Sequence, residues 1–313
     1  MSAPEVAYVA VAVKDVAAVA GVFGGALGLA HRTGSLKDGT EVPLYTVGRT
    51  AVALFEAGHA FLGAESRPGV HHLAIATPDP AAYAKAVDVA AGDGASGEGI
   101  DGARQVALDL DATCGVRLRV SQPVTLAAGG SRRVERIDHL GVAAPDNARI
   151  GSVFTDKLGC PVESTQTDME VRMAVESFTS DKYGVVYHSR PPQPLGGLRV
   201  RFLSLGDFEL EFLQPFDPAP ENVDLSGPAP NQPGNTRGDR GAIGRYLHRR
   251  GAGFHHVALK TADIDGLLPE LARQGLRMID VKGRPGSRRA LIGFVHPGSL
   301  GGLLLHFVER DEL

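Results

Sequence analysis

The chain has 313 residues, enough for two ordinary domains, and its 43% hydrophobic and 22% charged residues give the balance of a soluble globular protein. A formal net charge of −4, no tryptophan and 6% aromatic residues argue against a basic, base-stacking nucleic-acid surface. No apolar run approaches the roughly 18 residues of a membrane span; the start MSAPEVAYVAVAV lacks a charged leader and cleavage pattern, and two isolated cysteines, Cys114 and Cys160, suit a reducing cytoplasm.

Val6–Val13 alternates as a strand, with Tyr8, Ala10 and Ala12 on one face and valines on the other. A helical pattern over Ala17–Leu29 follows, then strand-like Val42–Val47 and Thr50–Phe55. Val70–Ala76 opens a second copy, with His72 and Ala74 on one face. Pro78-Asp79-Pro80 introduces a helix to about Ala91, since proline suits the first turn. Gln105–Leu110 and Val116–Ser121 read as strands.

Arg136–Ala143 (RIDHLGVA) opens a third copy, with His139, Gly141 and Ala143 on one face and Leu140 and Val142 on the other. A helix is expected from Pro145 to about Leu158, then strands near 174–177, 184–188, 198–203 and 208–213. The last reads FELEFL, with Glu209 and Glu211 sharing a face. Residues 215–241 are rich in Pro, Gly, Asn and Asp and read as a long loop suited to a mobile cover, before a short helix at 242–250.

Gly253–Lys260 (GFHHVALK) opens the fourth copy, with Phe254, His256 and Ala258 on one face and His255 assigned to the helix side. An amphipathic helix over 263–274 is stopped by Gly275. Strands 290–295 and 303–308 close the chain, and His306 shares a face with Leu304 and Val308.

Tyr8, His72, His139 and His256 hold equivalent places at intervals of 64, 67 and 117 residues. Extra sequence at about 178–197 and 216–250 accounts for the long third interval. Each opening strand has an apolar face suited to lie under a helix. The last two also carry an imidazole among small residues, which leaves room for something to bind. Two paired-unit domains, 1–123 and 134–313, joined by a linker at 123–133, are the expected organisation.

The runs IDHLGVA, FELEFLQP, GFHHVAL, GFVHPGSLGG and LLLHFVE resemble methylmalonyl-CoA epimerase and its relatives in the vicinal oxygen chelate superfamily. The resemblance covers nearly the whole chain as four units and is strongest from 137 to 309. It implies an α+β fold of four βαβββ modules paired into two cupped-sheet domains. It also implies one metal ligand from the first and last strand of each module, carried over as His139, Glu211, His256 and His306. The last departs from the epimerase pattern, which has glutamate there. The corresponding N-terminal positions, Tyr8, Ala53, His72 and Arg119, offer a single histidine, so that half is expected to be a scaffold without its own metal.

Three imidazoles and a carboxylate suit one divalent metal ion: Fe, Zn, Co, Ni or Mn. Such an ion can polarise a carbonyl and stabilise an enolate while a base removes the neighbouring proton. Glu211 and His306 are the candidates for proton transfer, with Glu209 the alternative if the register slips by one pair. Arg201 and Arg284 are the candidate substrate contacts, with Arg199, Arg288 and Arg289 also able to hold a carboxylate or phosphate. Tyr187 and His188 are further candidates for a pocket.

The expected function is a cytoplasmic, metal-dependent isomerase, epimerase or lyase. It would act on a small oxygen-rich molecule, an acyl thioester or 2-oxo acid, through a metal-bound enolate. An Fe(II)-dependent dioxygenase and a non-catalytic, drug-sequestering binder are the alternatives. The expected partner is a small-molecule substrate, with no nucleic acid or membrane, in an assembly that could be a homodimer.

Overall fold

The computed structural model describes residues 4–182, 184–217 and 236–311. Side chains at 93–95, 170–178, 180, 186–195 and 236–238 lie outside that description, among them Tyr187 and His188, as do residues 218–235 of the expected loop.

Within the described residues the strands form two eight-stranded cupped sheets, and the class is α+β. The first module is β1 (Val6–Val13), α1 (Val16–Ala20), β2 (His31–Ser35), β3 (Glu41–Val47) and β4 (Thr50–Glu56). The second is β5 (Gly69–Ala76), α2 (Pro80–Ala86), β6 (Ala91–Glu98), β7 (Arg104–Leu108) and β8 (Leu118–Ser121). The third is β9 (Ile137–Ala143), α3 (Asn147–Ser152), β10 (Val162–Ser180), β11 (Gly184–Leu205) and β12 (Phe208–Phe216). After α4 (Thr236–Arg250) comes the fourth: β13 (Gly253–Lys260), α5 (Ile264–Arg273), β14 (Arg284–Pro285), β15 (Leu291–Val295) and β16 (Leu305–Glu309).

Both sheets have the same plan, β2-β3-β4-β1-β5-β8-β7-β6 and β10-β11-β12-β9-β13-β16-β15-β14. The opening strands of paired modules lie side by side and antiparallel at the centre, each parallel to the last strand of its own module. The same device starts each module helix. Asp15, Asp79, Asp146 and Asp263 are N-caps whose carboxylates accept from backbone N–H groups of the first turn.

Three local expectations are corrected. The helices expected over 17–29 and 145–158 each run as α-helix for about one to two turns and then widen into a π-type turn. The separate strands expected near 174–177, 184–188 and 198–203 belong to one long antiparallel ribbon, β10 with β11. The proline run at 191–194 lies in β11, where the ribbon extends past the end of β12 and one edge needs no donor. Finally, α4 begins at Thr236, inside the stretch read as loop.

The convex faces of the two sheets share one core. Val9 and Val11 of β1, Leu140 and Val142 of β9, and Phe23, Phe154 and Leu268 from the helical segments belong to a single buried cluster. Backbone bonds also cross between the halves, from Lys14 N to Gly301 O at 2.9 Å and from Gly206 N to Pro4 O at 3.0 Å. The division into 1–123 and 134–313, which we propose from the two sheets, therefore separates sheets rather than cores.

The concave faces differ. The N-terminal cup is filled by its own side chains, including Tyr8, Leu44, Phe55 and Ile100, and Val124 and Leu126 of the expected linker pack onto them. The C-terminal cup keeps a cavity of about 700 Å³. Helix α4 lies across it, with Ile243 buried against Leu198, Val200, Phe202 and Leu213.

Candidate metal centre

Strand register brings the four expected ligands together at the floor of this cavity. Gly141 on β9 lies opposite both Glu211 on β12 and His256 on β13. Ala258 on β13 lies opposite both His139 on β9 and His306 on β16. The small residues make the room: a Cβ at Gly141 would collide with the His256 ring.

All four side chains are buried. His139 Nε2 lies 3.2 Å from His256 Nε2 and 3.3 Å from Glu211 Oε2, and His256 Nε2 lies 3.5 Å from the same oxygen. The His306 ring centroid is 4.7 Å from that of His256 and 5.1 Å from that of His139. One nitrogen from each of the three histidines falls within 4.8 Å of the others. Among the described residues, neither buried His306 nitrogen has a hydrogen-bond partner. Such orphaned polar atoms are costly in a protein interior unless something binds them, and a divalent metal fits the donor set.

Two residues assigned no role at this centre from the sequence are part of it. Asp138 and His255 precede ligands and, by strict alternation, should face the helices. In the β9–β13 ladder His139 pairs with Ala258 and Ile137 with Leu259, so Asp138 is an extra residue in a bulge; His255 is another. A bulge re-aims its side chain. His139 Nδ1 donates to Asp138 Oδ1 at 2.7 Å, and His255 Nδ1 lies 3.0 Å from His256 Nδ1. The assignment of His255 to the helix side is thus corrected, since its ring borders the cavity. The signal available beforehand was the doublet itself, His71-His72 and His255-His256 at equivalent places.

The charges at the centre are coupled. Burial alone would depress His139, but the Glu211 carboxylate and the bond to Asp138 outweigh it and bring the imidazole up to about 9. Burial would raise Glu211, but the nearby His139 and bonds from His139 and His256 hold it well below the usual carboxylate range. Burial, reinforced by the neighbouring histidines, holds His306 well below the ordinary imidazole value, and burial lowers His256 and takes His255 to about 3.

The arginines sort themselves by the carboxylates they meet. Arg310 lies 3.0 Å from Asp138 and 3.4 Å from Glu209. Arg288 also pairs with Glu209, at 2.5 Å, so Glu209 is engaged by arginines while Glu211 lines the cavity. Arg284 borders the cavity, paired with Asp239 of α4 at 3.2 Å and with Asp280 at 3.3 Å. Arg201 is corrected as a substrate contact. Val200 and Phe202 on either side of it face the cavity, so alternation turns Arg201 outward against Gly151 of α3. Arg199 lies over the Phe216 ring.

The equivalent place in the N-terminal cup is closed by side chains. The His72 Nε2 and Gln105 Oε1 atoms each lie 3.2 Å from the Tyr8 hydroxyl. Arg119, in the place of His306, donates to the Phe61 carbonyl at 2.8 Å and stacks on that ring. Among the described residues, His139, His256 and His306 are the one group of three such side chains close enough to share an ion.

A sequence model of the glyoxalase/bleomycin resistance protein/dioxygenase superfamily matches residues 138–294, half of the chain and the whole span from Asp138 to Phe294. The chain belongs to this superfamily. Mitochondrial methylmalonyl-CoA epimerase of Homo sapiens is 21% identical over 190 residues, covering 60% of this chain and 82% of that protein. The Dictyostelium discoideum protein of the same name is 24% identical over 135 residues, 42% of this chain and 69% of that one. A mutant 4-hydroxymandelate synthase from Streptomyces coelicolor is similar along 99% of this chain and 94% of its own, with a TM-score of 0.62 and 14% identity. That likeness shows that the superfamily fold extends through both halves. These relatives are enzymes, and in this member of the superfamily three buried histidines are placed to hold a metal.

Proposed function

We propose that this protein is a metal-dependent enzyme of the isomerase, epimerase or lyase type, acting on an acyl thioester through an enolate. The observation that carries the reading is the convergence of three imidazoles and one carboxylate, from four strands, at the floor of a deep covered cavity. His139, His256 and His306 would hold the metal with Glu211. The metal would supply Lewis acidity to neighbouring substrate oxygens, lowering the cost of removing a proton from the adjacent carbon.

Glu211 is the residue we assign to take that proton. It is the carboxylate at the floor, and its charge is favoured by its surroundings. Asp138 holds the His139 ring in one tautomer, and Arg310 holds Asp138. Helix α4 limits access of water to the floor, which protects a carbanion from indiscriminate protonation.

Charge placement favours a thioester over a 2-oxo acid. The cavity arginines Arg284 and Arg310 are already neutralised by carboxylates. Arg245 and Lys282, both exposed, border the mouth instead. A thioester whose anionic carrier lies at the mouth matches that pattern. The relatives named above as methylmalonyl-CoA epimerases support the same class.

The test is solvent deuterium exchange at the α-carbon of a panel of acyl thioesters, with metal-loaded native protein and Glu211→Gln. The expected result is exchange by the native protein and loss of at least about a hundredfold in the variant. No exchange with any thioester, but oxygen uptake with Fe(II) and a 2-oxo acid, would favour the dioxygenase reading, to which three histidines and a carboxylate are also suited. Protein that takes up no metal would leave the binder reading.

A further inference from the structure

The doublets His71-His72 and His255-His256 break strand alternation in the same way. Across β9 and β13, Phe254 faces Val142 and His256 faces Gly141, leaving His255 without a partner in the ladder. Across β1 and β5, Val70 faces Val11 and His72 faces Ala10, leaving His71 in that position. In each doublet the rings then meet through Nδ1, at 2.8 Å in the first and 3.0 Å in the second.

A neutral imidazole carries one N–H, so two nitrogens this close must be one donor and one acceptor. The Nε2 of His256 points at His139 Nε2 and the Glu211 carboxylate. To offer a metal the lone pair on Nε2, His256 must carry its proton on Nδ1. His255 must then accept at Nδ1 and carry its own proton on Nε2. That Nε2 has no hydrogen-bond partner among the described residues, and the ring borders the cavity. The ring is held in place edge-on by Tyr246 at 5.1 Å, whose hydroxyl donates to the Phe254 carbonyl at 2.6 Å.

The N-terminal doublet has the opposite polarity. The Tyr8 hydroxyl donates to Gln105 Oε1, so its contact with His72 Nε2 requires the proton on that nitrogen. His72 then accepts at Nδ1, and His71 donates to it.

We propose that His255 orients His256 through Nδ1 and donates its Nε2–H to an oxygen atom of the molecule bound in the cavity. The inference rests on the metal reading only for the tautomer of His256. Its readouts are tautomers and affinities rather than turnover.

The first experiment is two-bond proton–nitrogen correlation on zinc-loaded protein with labelled histidines. The expected pattern is Nδ1–H on His256 and Nε2–H on His255, reversed to Nε2–H on His72 and Nδ1–H on His71. The second compares His255→Phe, which keeps a ring edge for Tyr246, with His255→Gln, whose amide offers both an acceptor and a donor. By chelator competition, zinc should bind the Phe variant about ten- to a hundredfold more weakly than native, while the Gln variant keeps most of the affinity. At saturating zinc, oxalate as an oxygen-donor probe should bind the Phe variant about tenfold more weakly than the Gln variant. A proton on Nδ1 of His255, or equal zinc and oxalate binding by native and Phe proteins, overturns the proposal and leaves the metal reading standing. Failure of the native protein to bind zinc overturns both.

Discussion

At the scale of single residues, the two cups differ at their last-strand ligand position: His306 in one and Arg119 in the other. A guanidinium brings its own positive charge, and Arg119 is satisfied by Phe61 and Gln105. His306 brings two nitrogens that nothing else in the described structure satisfies. Alanine at His139 or His256 should therefore abolish metal binding, because each also orients its partners. His72→Ala should leave metal content unchanged. Elemental analysis of the purified variants checks this, and metal loss in His72→Ala would show that the N-terminal cup holds an ion after all. His306→Glu should keep the metal, since both side chains ligate these ions. It should also supply the second carboxylate of the epimerase-like pattern and quicken α-proton exchange into a methylmalonyl thioester. Fast exchange by the native protein that disappears in His306→Glu would show that the histidine itself suits epimerisation.

At the scale of elements, the centre depends on devices that interrupt regular structure. Bulges bring Asp138 and His255 beside the rings they contact, while α4 closes a cup that its N-terminal counterpart fills with side chains. Helix α4 is only weakly amphipathic and is held by a few anchors: Ile243 inside the cup, the Asp239–Arg284 pair, and the Tyr246 hydroxyl on Phe254. Ile243→Ala removes most of a buried side chain, a loss of about 2–4 kcal/mol where the cavity left behind does not collapse. The penalty should appear locally. Amide hydrogen exchange should quicken along α4, and that of β9 in the core should stay as slow as in the native protein. Equal acceleration in both elements would mean that α4 is part of the cooperative core rather than a cover over it.

At the scale of the molecule, stability should depend on pH in a way set by buried histidines. Burial is the leading influence on His71, His72, His255, His256 and His306, and all five are depressed. Below about pH 6.5 the unfolded chain takes up protons on them that the folded chain refuses, so stability is lost as pH falls. His139 is raised to about 9, and its contribution has the opposite sign. Between about pH 6.5 and 9 the folded state holds a proton that the unfolded state has released, and stability declines by about 1.4 kcal/mol per pH unit. The metal-free protein should thus have its highest thermal midpoint near pH 6.5, and Glu211→Gln should flatten the alkaline side. A native midpoint that is constant from pH 6.5 to 9 would contradict the charge assigned to His139. Because the sheets share one core, probes in the two halves should report a single melting transition.

Features that repeat at short range are legible in the chain alone. Period-two alternation and the strand–aspartate–helix order appear in all four modules, so the repeated units and the facing of His139, Glu211, His256 and His306 could be read without coordinates, while the pairing of the units into cupped sheets was implied by the family resemblance. Features set by neighbours distant in the chain emerge only in the folded molecule. A bulge is an extra residue measured against the partner strand, so no inspection of β13 alone could bring His255 to the cavity. Arg284 and Arg201 look alike as residues. One meets Asp239 and Asp280 beside the cavity and the other lies against α3, because strand pairing and helix placement determine which neighbours each can reach. The N-terminal cup is filled by its own side chains, Tyr8, Leu44, Phe55 and Ile100 among them, and Val124 and Leu126, read as linker, fold back onto these. Burying apolar side chains there removes them from water, and that gain exists only once the sheet has formed.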